Sequence, residues 1–236
     1  MNMSDPYLSR FFVYSDPNSS NMIYRLPQSW WSRPYEYEWC LQFMSGQDTV
    51  LDAACGIPHP FKFELARRCA QVYACDLDIR IVSVDAILAE VRRDIGEEAA
   101  ERIQEILPVR LHSAHANLTA LPYEDASFDK IVCISVLEHL TPDESLAALR
   151  EFHRTLRDDG MLLLTFDYPT VDLSAMEQWI EQAGFSYWNG VDLKLPRGAL
   201  HTDMWGGLHC FRTVLKNIRV SGMRNEVYTD LSYCLS

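Results

Sequence analysis

The 236-residue chain contains no apolar run near the ~18–20 residues that cross a bilayer as a helix, which excludes a helical membrane span. Its first ten residues lack a basic stretch followed by an apolar one, so no secretion signal is expected. Basic residues are few: 21 Lys and Arg stand against 33 Asp and Glu, for a net charge of −12. With no Lys/Arg run to make a basic face, a polyanion would be repelled, and nucleic acid is not expected as a partner. The seven cysteines (Cys40, Cys55, Cys69, Cys75, Cys133, Cys210, Cys234) are scattered, odd in number and without a CxxC pair. That pattern fits core thiols in a reducing cytoplasm better than disulfides or zinc. His201, Asp203 and His209, with Trp205 among them, have no standard metal-ligand spacing, so no metal is expected. Nor is there a GxGxxG turn: Gly56 is followed by Ile57-Pro58-His59-Pro60-Phe61 without another glycine. That weakens a nicotinamide-dependent oxidoreductase reading.

What is present is apolar periodicity. Apolar residues make up 48% of the chain, enough for one α/β core. Short apolar runs at 49–54, 72–75, 109–113, 130–135, 161–166, 185–188 and 209–215 predict seven strands. Between them lie helical spacings over 33–44, 61–69, 79–91 with a continuation to about 106, 141–156 and 174–183. Thr141-Pro142-Asp143-Glu144 reads as a capping box, and Ser174 with Glu177 as a second. Gly46, Gly160 and Gly184 read as helix stops. Residues 1–30 are rich in aromatics and turn formers without a period, and predict an irregular arm or short helices. The segment 189–208 reads as a long loop.

Alternating strands and helices imply an α/β fold: a doubly wound, mostly parallel seven-stranded sheet with helices on both faces. The expected organisation is an aromatic N-terminal arm or cap over 1–32, one domain over 33–217 and a tail over 218–236. Ligands of such sheets bind beyond the carboxyl ends of the strands, where strand order reverses. The first strand ends at Ala54, so the following loop is the first place to look.

Val50-Leu51-Asp52-Ala53-Ala54-Cys55-Gly56 resembles the first motif of class I S-adenosylmethionine-dependent methyltransferases, hydrophobic-Leu-Asp-x-Gly-x-Gly-x-Gly. Two positions depart from it: Ala54 replaces the first glycine and Pro58 the third. Pro58 removes an N–H donor and fixes φ. Val72-Tyr73-Ala74-Cys75-Asp76 places a carboxylate about 20 residues after Gly56, the spacing of a ribose-binding acid. Asn117-Leu118-Thr119-Ala120-Leu121-Pro122-Tyr123, followed by Ser127-Phe128-Asp129, resembles the family stretch Asp-x-x-x-Leu-Pro-Phe…Ser-Phe-Asp. There Asn117 aligns with the adenine-binding acid; on its own it is also a natural Asx-turn residue. Ser135-Val136-Leu137-Glu138-His139-Leu140 resembles the segment after the fourth strand, which lines the cofactor near the methyl group.

The resemblance implies a Rossmann-like fold, S-adenosyl-L-methionine as cofactor and a small molecule as methyl acceptor at an O or N atom. It implies cofactor contacts from Arg33, Asp52, Ala54, Cys55, Gly56, Asp76, Leu77, Asn117, Leu118, Ser135 and Val136. His139 is the candidate general base, since imidazole titrates near neutral pH. The alternative that Pro58 and Asn117 motivate is a non-catalytic relative with a degenerate cofactor loop. The N-terminal aromatics (Tyr7, Phe11, Phe12, Tyr14, Trp30, Trp31) and the 189–208 loop are candidate lids, or ordinary packing over a sheet edge.

Overall fold

The computed structural model describes residues 5–106 and 110–218; Cys234 and all of the tail but residue 218 lie outside them. Five parallel strands form the centre: β2 (Thr49–Ala53), β3 (Gln71–Asp76), β4 (Leu111–His115), β5 (Phe128–Ile134) and β6 (Leu156–Tyr168). Their spatial order is β4-β3-β2-β5-β6, and β10 (Leu208–Asn217) then runs antiparallel to β6. The chain therefore winds outward from β2 to β4 and returns to β5 on the opposite side of β2. The crevice of such a sheet opens at that reversal, beyond the carboxyl ends of β2 and β5.

Side-chain alternation along each strand feeds two apolar layers. Val50, Val132 and Leu163 face one side, against α1 (Arg33–Leu41), α2 (Phe61–Arg68), α3 (Val84–Asp94) and α4 (Glu97–Ile106). Leu51, Ile131, Cys133, Leu162 and Leu164 face the other, against α5 (Pro142–Thr155) and α6 (Leu173–Gln182). Six of the cysteines are free and buried in or beside these layers.

All seven expected strands are present, and β7 (Phe185–Tyr187) is one of three short strands on the outer edge of β10. The other two are β9 (His201–Thr202) and β1 (Leu8–Phe11). A tenth strand, β8 (Gly190–Val191), pairs with β1, so the sheet over the described residues has ten strands and not the seven expected. Both the irregular arm expected over 1–30 and the loop expected over 189–208 thus contribute to the sheet. The strand at Leu8–Phe11 has no apolar alternation because all four of its residues are buried. Its polar side chains find partners inside: Ser9 Oγ lies 2.9 Å from Thr213 Oγ1, and Arg10 donates to both oxygens of Asp16 at 2.5 and 2.9 Å.

Helix ends obey local chemistry with three departures, the first being that α1 ends at Leu41 with Gln42 as its cap, ahead of the expected stop at Gly46. Thr141 and Glu144 form the expected reciprocal box at α5, and Gly184, at φ 87°, follows the end of α6. The cap of α6 is instead Asp172, which accepts from Ala175 N at 2.8 Å; a carboxylate two residues ahead of Ser174 already satisfies the free N–H. Gly160 does not stop α5. The helix ends at Thr155, and Leu156 is extended and already in β6. Gly160 lies where the pairing with β5 slips between Phe128↔Leu156 and Lys130↔Met161. A Cβ there would come 2.7 Å from Leu156 Cδ1.

Candidate active site

The turn after β2 is bent by two left-handed residues, Ala54 at φ 55° and Gly56 at φ 64°. The first costs an L-residue roughly 1–2 kcal/mol. The second allows close approach, since a Cβ on Gly56 would stand 2.4 Å from His59 Cδ2. This turn is tied to the end of β3: Gly56 N donates to Asp76 Oδ2 at 2.8 Å, and Asp78 N donates to Asp76 Oδ1 at 2.9 Å. Each Asp76 oxygen thus accepts one backbone N–H and keeps a further lone pair.

Beneath the turn lies a residue that motif reading passed over. Lys62 in α2 is fully buried and its ammonium donates to three carbonyls: Gly56 O at 2.6 Å, His59 O at 2.7 Å and Ile57 O at 3.0 Å. Burial lowers its pKa, while Cys55, Asp52 and Asp76 act in the opposite direction. The signal was a lone lysine between Phe61 and Phe63 on a buried helix. Tyr24 donates to the carbonyl of Pro58, so the loop that lost a glycine is anchored through its carbonyls.

The far wall is built at the end of β5. Ser135, at φ 49°, donates to Glu36 Oε1 at 2.8 Å. Arg33 Nη1 donates to Glu36 Oε2 at 2.5 Å and to Ser135 Oγ at 2.7 Å, and Thr165 Oγ1 donates to Glu36 Oε1 at 2.5 Å. Burial opposes the Glu36 charge, but Arg33 and these hydrogen bonds outweigh it and hold the carboxyl below its ordinary range.

Two cavities meet here. One of about 310 Å³ is lined by Asp52, Ala54, Cys55 and Gly56 on one side and Ile134 and Val136 on the other. A second of about 450 Å³ is lined by Trp30, Trp31, Glu138, Asp167, Trp205 and Leu208, among others. They share Arg33, His59, Ser135 and His139. His59 stacks on Trp30 at 4.0 Å between ring centroids, and its Nδ1 lies 2.6 Å from the Tyr37 hydroxyl. Burial, then Arg33 and Lys62, push its pKa well below the usual imidazole value, so His59 is neutral.

The smaller cavity suits the amino-acid end of S-adenosylmethionine. Asp52 is 3% exposed and its Oδ2 has no hydrogen-bond partner. Burial raises its pKa to about 7, with Lys62 lowering and Asp76 raising it. A ligand ammonium would relieve that carboxylate, and Arg33 matches a ligand carboxylate.

The remaining expected residues separate. Leu77 is 66% exposed at the rim after β3, whereas Leu118 is buried. Asn117 forms the Asx turn: its Oδ1 accepts from Thr119 N and Thr119 Oγ1, both at 2.9 Å. His139 is exposed on the short turn Leu137–His139 and reaches both cavities. Of the candidate lid residues, Trp30 and Trp31 line the larger cavity with Trp205 from the 189–208 segment. Phe11 and Phe12 are core residues, Tyr7 stacks near Trp188, and Tyr14 hydrogen-bonds His201 Nδ1 at 2.9 Å. His209 Nδ1 lies 3.1 Å from the Leu200 carbonyl. Glu36, Glu138 and Asp167 were passed over because acids on a helix or at a strand end look like solvated surface in sequence.

Residues 51–164 match the family model described as methyltransferase domain. A curated relative, an uncharacterized protein of Methanocaldococcus jannaschii, is 43% identical over 49 residues, 21% of this chain. That match spans about a fifth (20%) of the relative's length. Among solved structures, a TehB-like SAM-dependent methyltransferase from Corynebacterium glutamicum superposes with TM-score 0.53 and 18% identity, over 77% of this chain and 86% of that one. Magnesium protoporphyrin IX methyltransferase from Synechocystis, with bound SAM, gives 0.50 and 20%, over 75% of each chain. Residues 51–164 thus carry the similarity to a methyltransferase domain, and the sheet order with its crevice at the strand reversal is the Rossmann-like fold of these methyltransferase structures.

Proposed function

We propose that the protein transfers a methyl group to an O or N atom of a small molecule held in the larger cavity. The observation that carries the reading is the junction of the two cavities at the carboxyl edge of β2 and β5, walled by four shared residues. S-adenosylmethionine supplies, when bound, a methyl group already activated by its sulfonium charge. Asp76 would hold the ribose hydroxyls on its remaining lone pairs, with exposed Leu77 against the adenine. Asn117 would meet the adenine edge through its amide nitrogen, since its oxygen already accepts two bonds, and buried Leu118 shapes the floor there. The turn Ala54-Cys55-Gly56, Asp52 and Arg33 would grip the amino-acid end. Ser135 and Val136 form the wall beside it, and His139 stands at the junction to accept a proton from the acceptor. The stacked pair His59 and Trp30 screens the junction from water. Because the methyl group is activated beforehand, alignment and exclusion of water are the protein's main contributions.

Isothermal titration with S-adenosylhomocysteine tests this. Saturable one-to-one binding that Asp76→Ala weakens is expected. No heat and no thermal shift at millimolar ligand would favour the non-catalytic relative.

A further inference from the structure

The larger cavity holds two acids whose buried oxygens the protein leaves without hydrogen-bond partners. Both carboxylate oxygens of Glu138, and Oδ1 of Asp167, are buried without a hydrogen-bond partner. The cation on that wall, Arg33, is paired with fully buried Glu36 and offsets the two acids only in part. His59 is held neutral, leaving exposed His139 as the other titratable group of the lining. Trp30, Trp31 and Trp205 line the same cavity. Among the described residues, no group of three His, Cys, Asp or Glu gathers there as a metal site.

We infer that the methyl acceptor is an organic amine, whose ammonium form docks between Glu138 and Asp167 and the tryptophan faces. The inference rests on the cofactor reading above and narrows its acceptor. Aromatic faces attract cations, most strongly where water is excluded. Buried carboxylates without donors are costly, and an ammonium supplies several donors at once. A neutral alcohol offers one donor and leaves most of the buried oxygens unpaired. The carboxyls are already displaced towards proton acceptance: burial first, then Asp167, raise Glu138 to about 8, and burial, then Glu36, raise Asp167 to about 6.

The docked ammonium passes one proton to the Glu138 carboxylate, which for an amine takes the part given to His139 above, and this frees the nitrogen lone pair. The nitrogen then forms its bond to the methyl carbon as the carbon–sulfur bond of S-adenosylmethionine breaks, with that electron pair staying on sulfur. The products are the methylated ammonium, S-adenosylhomocysteine and protonated Glu138, which returns its proton to solvent.

The test is binding. Benzylamine, 2-phenylethylamine and tryptamine are titrated calorimetrically against the corresponding alcohols, with and without saturating S-adenosylhomocysteine. At least one amine should bind tenfold or more tighter than its alcohol. Glu138→Gln and Asp167→Asn should each erase that preference while S-adenosylhomocysteine binds as before. Thermal melts of both variants report whether they fold, and either folded variant suffices. Equal affinities for amine and alcohol, no binding of either, or a preference that survives both substitutions would overturn the inference. Failure of S-adenosylhomocysteine to bind is seen separately, in the titration without amine, and would remove the cofactor reading itself.

Discussion

Replacing Lys62 by methionine tests whether a buried ammonium holds the cofactor turn in shape. The side chain is fully buried and donates to the carbonyls of Gly56, Ile57 and His59. Hydrogen bonds to a charged group contribute roughly 1.5–3 kcal/mol each, so three amount to about 4.5–9 kcal/mol gross. Keeping an ammonium out of water takes back several kcal/mol of that. Methionine preserves most of the apolar stem but gives up the ammonium that lies 5.0 Å from the centre of the Phe63 ring. A net loss of about 3 kcal/mol is expected, or a melting point lower by about 6–12 °C for a chain of this size. The carbonyls that lose their donor are those of the turn itself, so S-adenosylhomocysteine should also bind at least about tenfold more weakly, about 1.4 kcal/mol. Differential scanning calorimetry and titration calorimetry read the two effects. A variant that melts within about 2 °C of the parent and binds S-adenosylhomocysteine equally well would refute the reasoning: the turn would then be held by its backbone alone.

Asp76→Ala removes the acceptor of Gly56 N–H and the lone pairs proposed to hold the ribose; on that proposal, affinity for S-adenosylhomocysteine should fall about a hundredfold, on the order of two charged hydrogen bonds, by calorimetry. Ala54→Gly relieves a left-handed alanine at φ 55° and should raise stability by about 0.5–1 kcal/mol in urea unfolding, the strain released exceeding the added chain entropy. Burial first raises Glu138 to about 8 and Asp52 to about 7, well above the values near 4 of unfolded carboxyls. Both folded pKa values are raised, so the stability they confer is complete below about pH 4 and is lost as pH rises through 7 to 8. The ligand-free protein should therefore be more stable at about pH 5 than at about pH 8, and Glu138→Gln should reduce that difference by about 1–2 kcal/mol in urea midpoints.

Much of the centre of this fold is legible in one dimension because it is built from local rules. Apolar runs bounded by turns mark β2, β3, β5 and β6, and the 3.6-residue stripe of Leu149, Phe152 and their neighbours marks α5. The turn at Gly56 and the acid at Asp76 are legible for the same reason: a tight turn needs its glycine, and strand length sets where the next carboxylate emerges. Edges and charges are different. Ser9 and Arg10 are buried in β1 because Thr213 and Asp16 wait for them, one of these more than two hundred residues away. Asp172 displaces Ser174 as a cap by geometry that spacing alone leaves open.

The chain's own order of residues decided the alternating architecture, the place of the cofactor turn and the acid facing it, since each depends on neighbours within a few positions. Only the folded molecule decided that Lys62 turns inward under that turn, that Arg33 is held by Glu36 and Ser135, and that Glu138 and Asp167 share a cavity with three tryptophans. A charge takes its character from what surrounds it, and the surroundings of a buried charge come from distant parts of the chain.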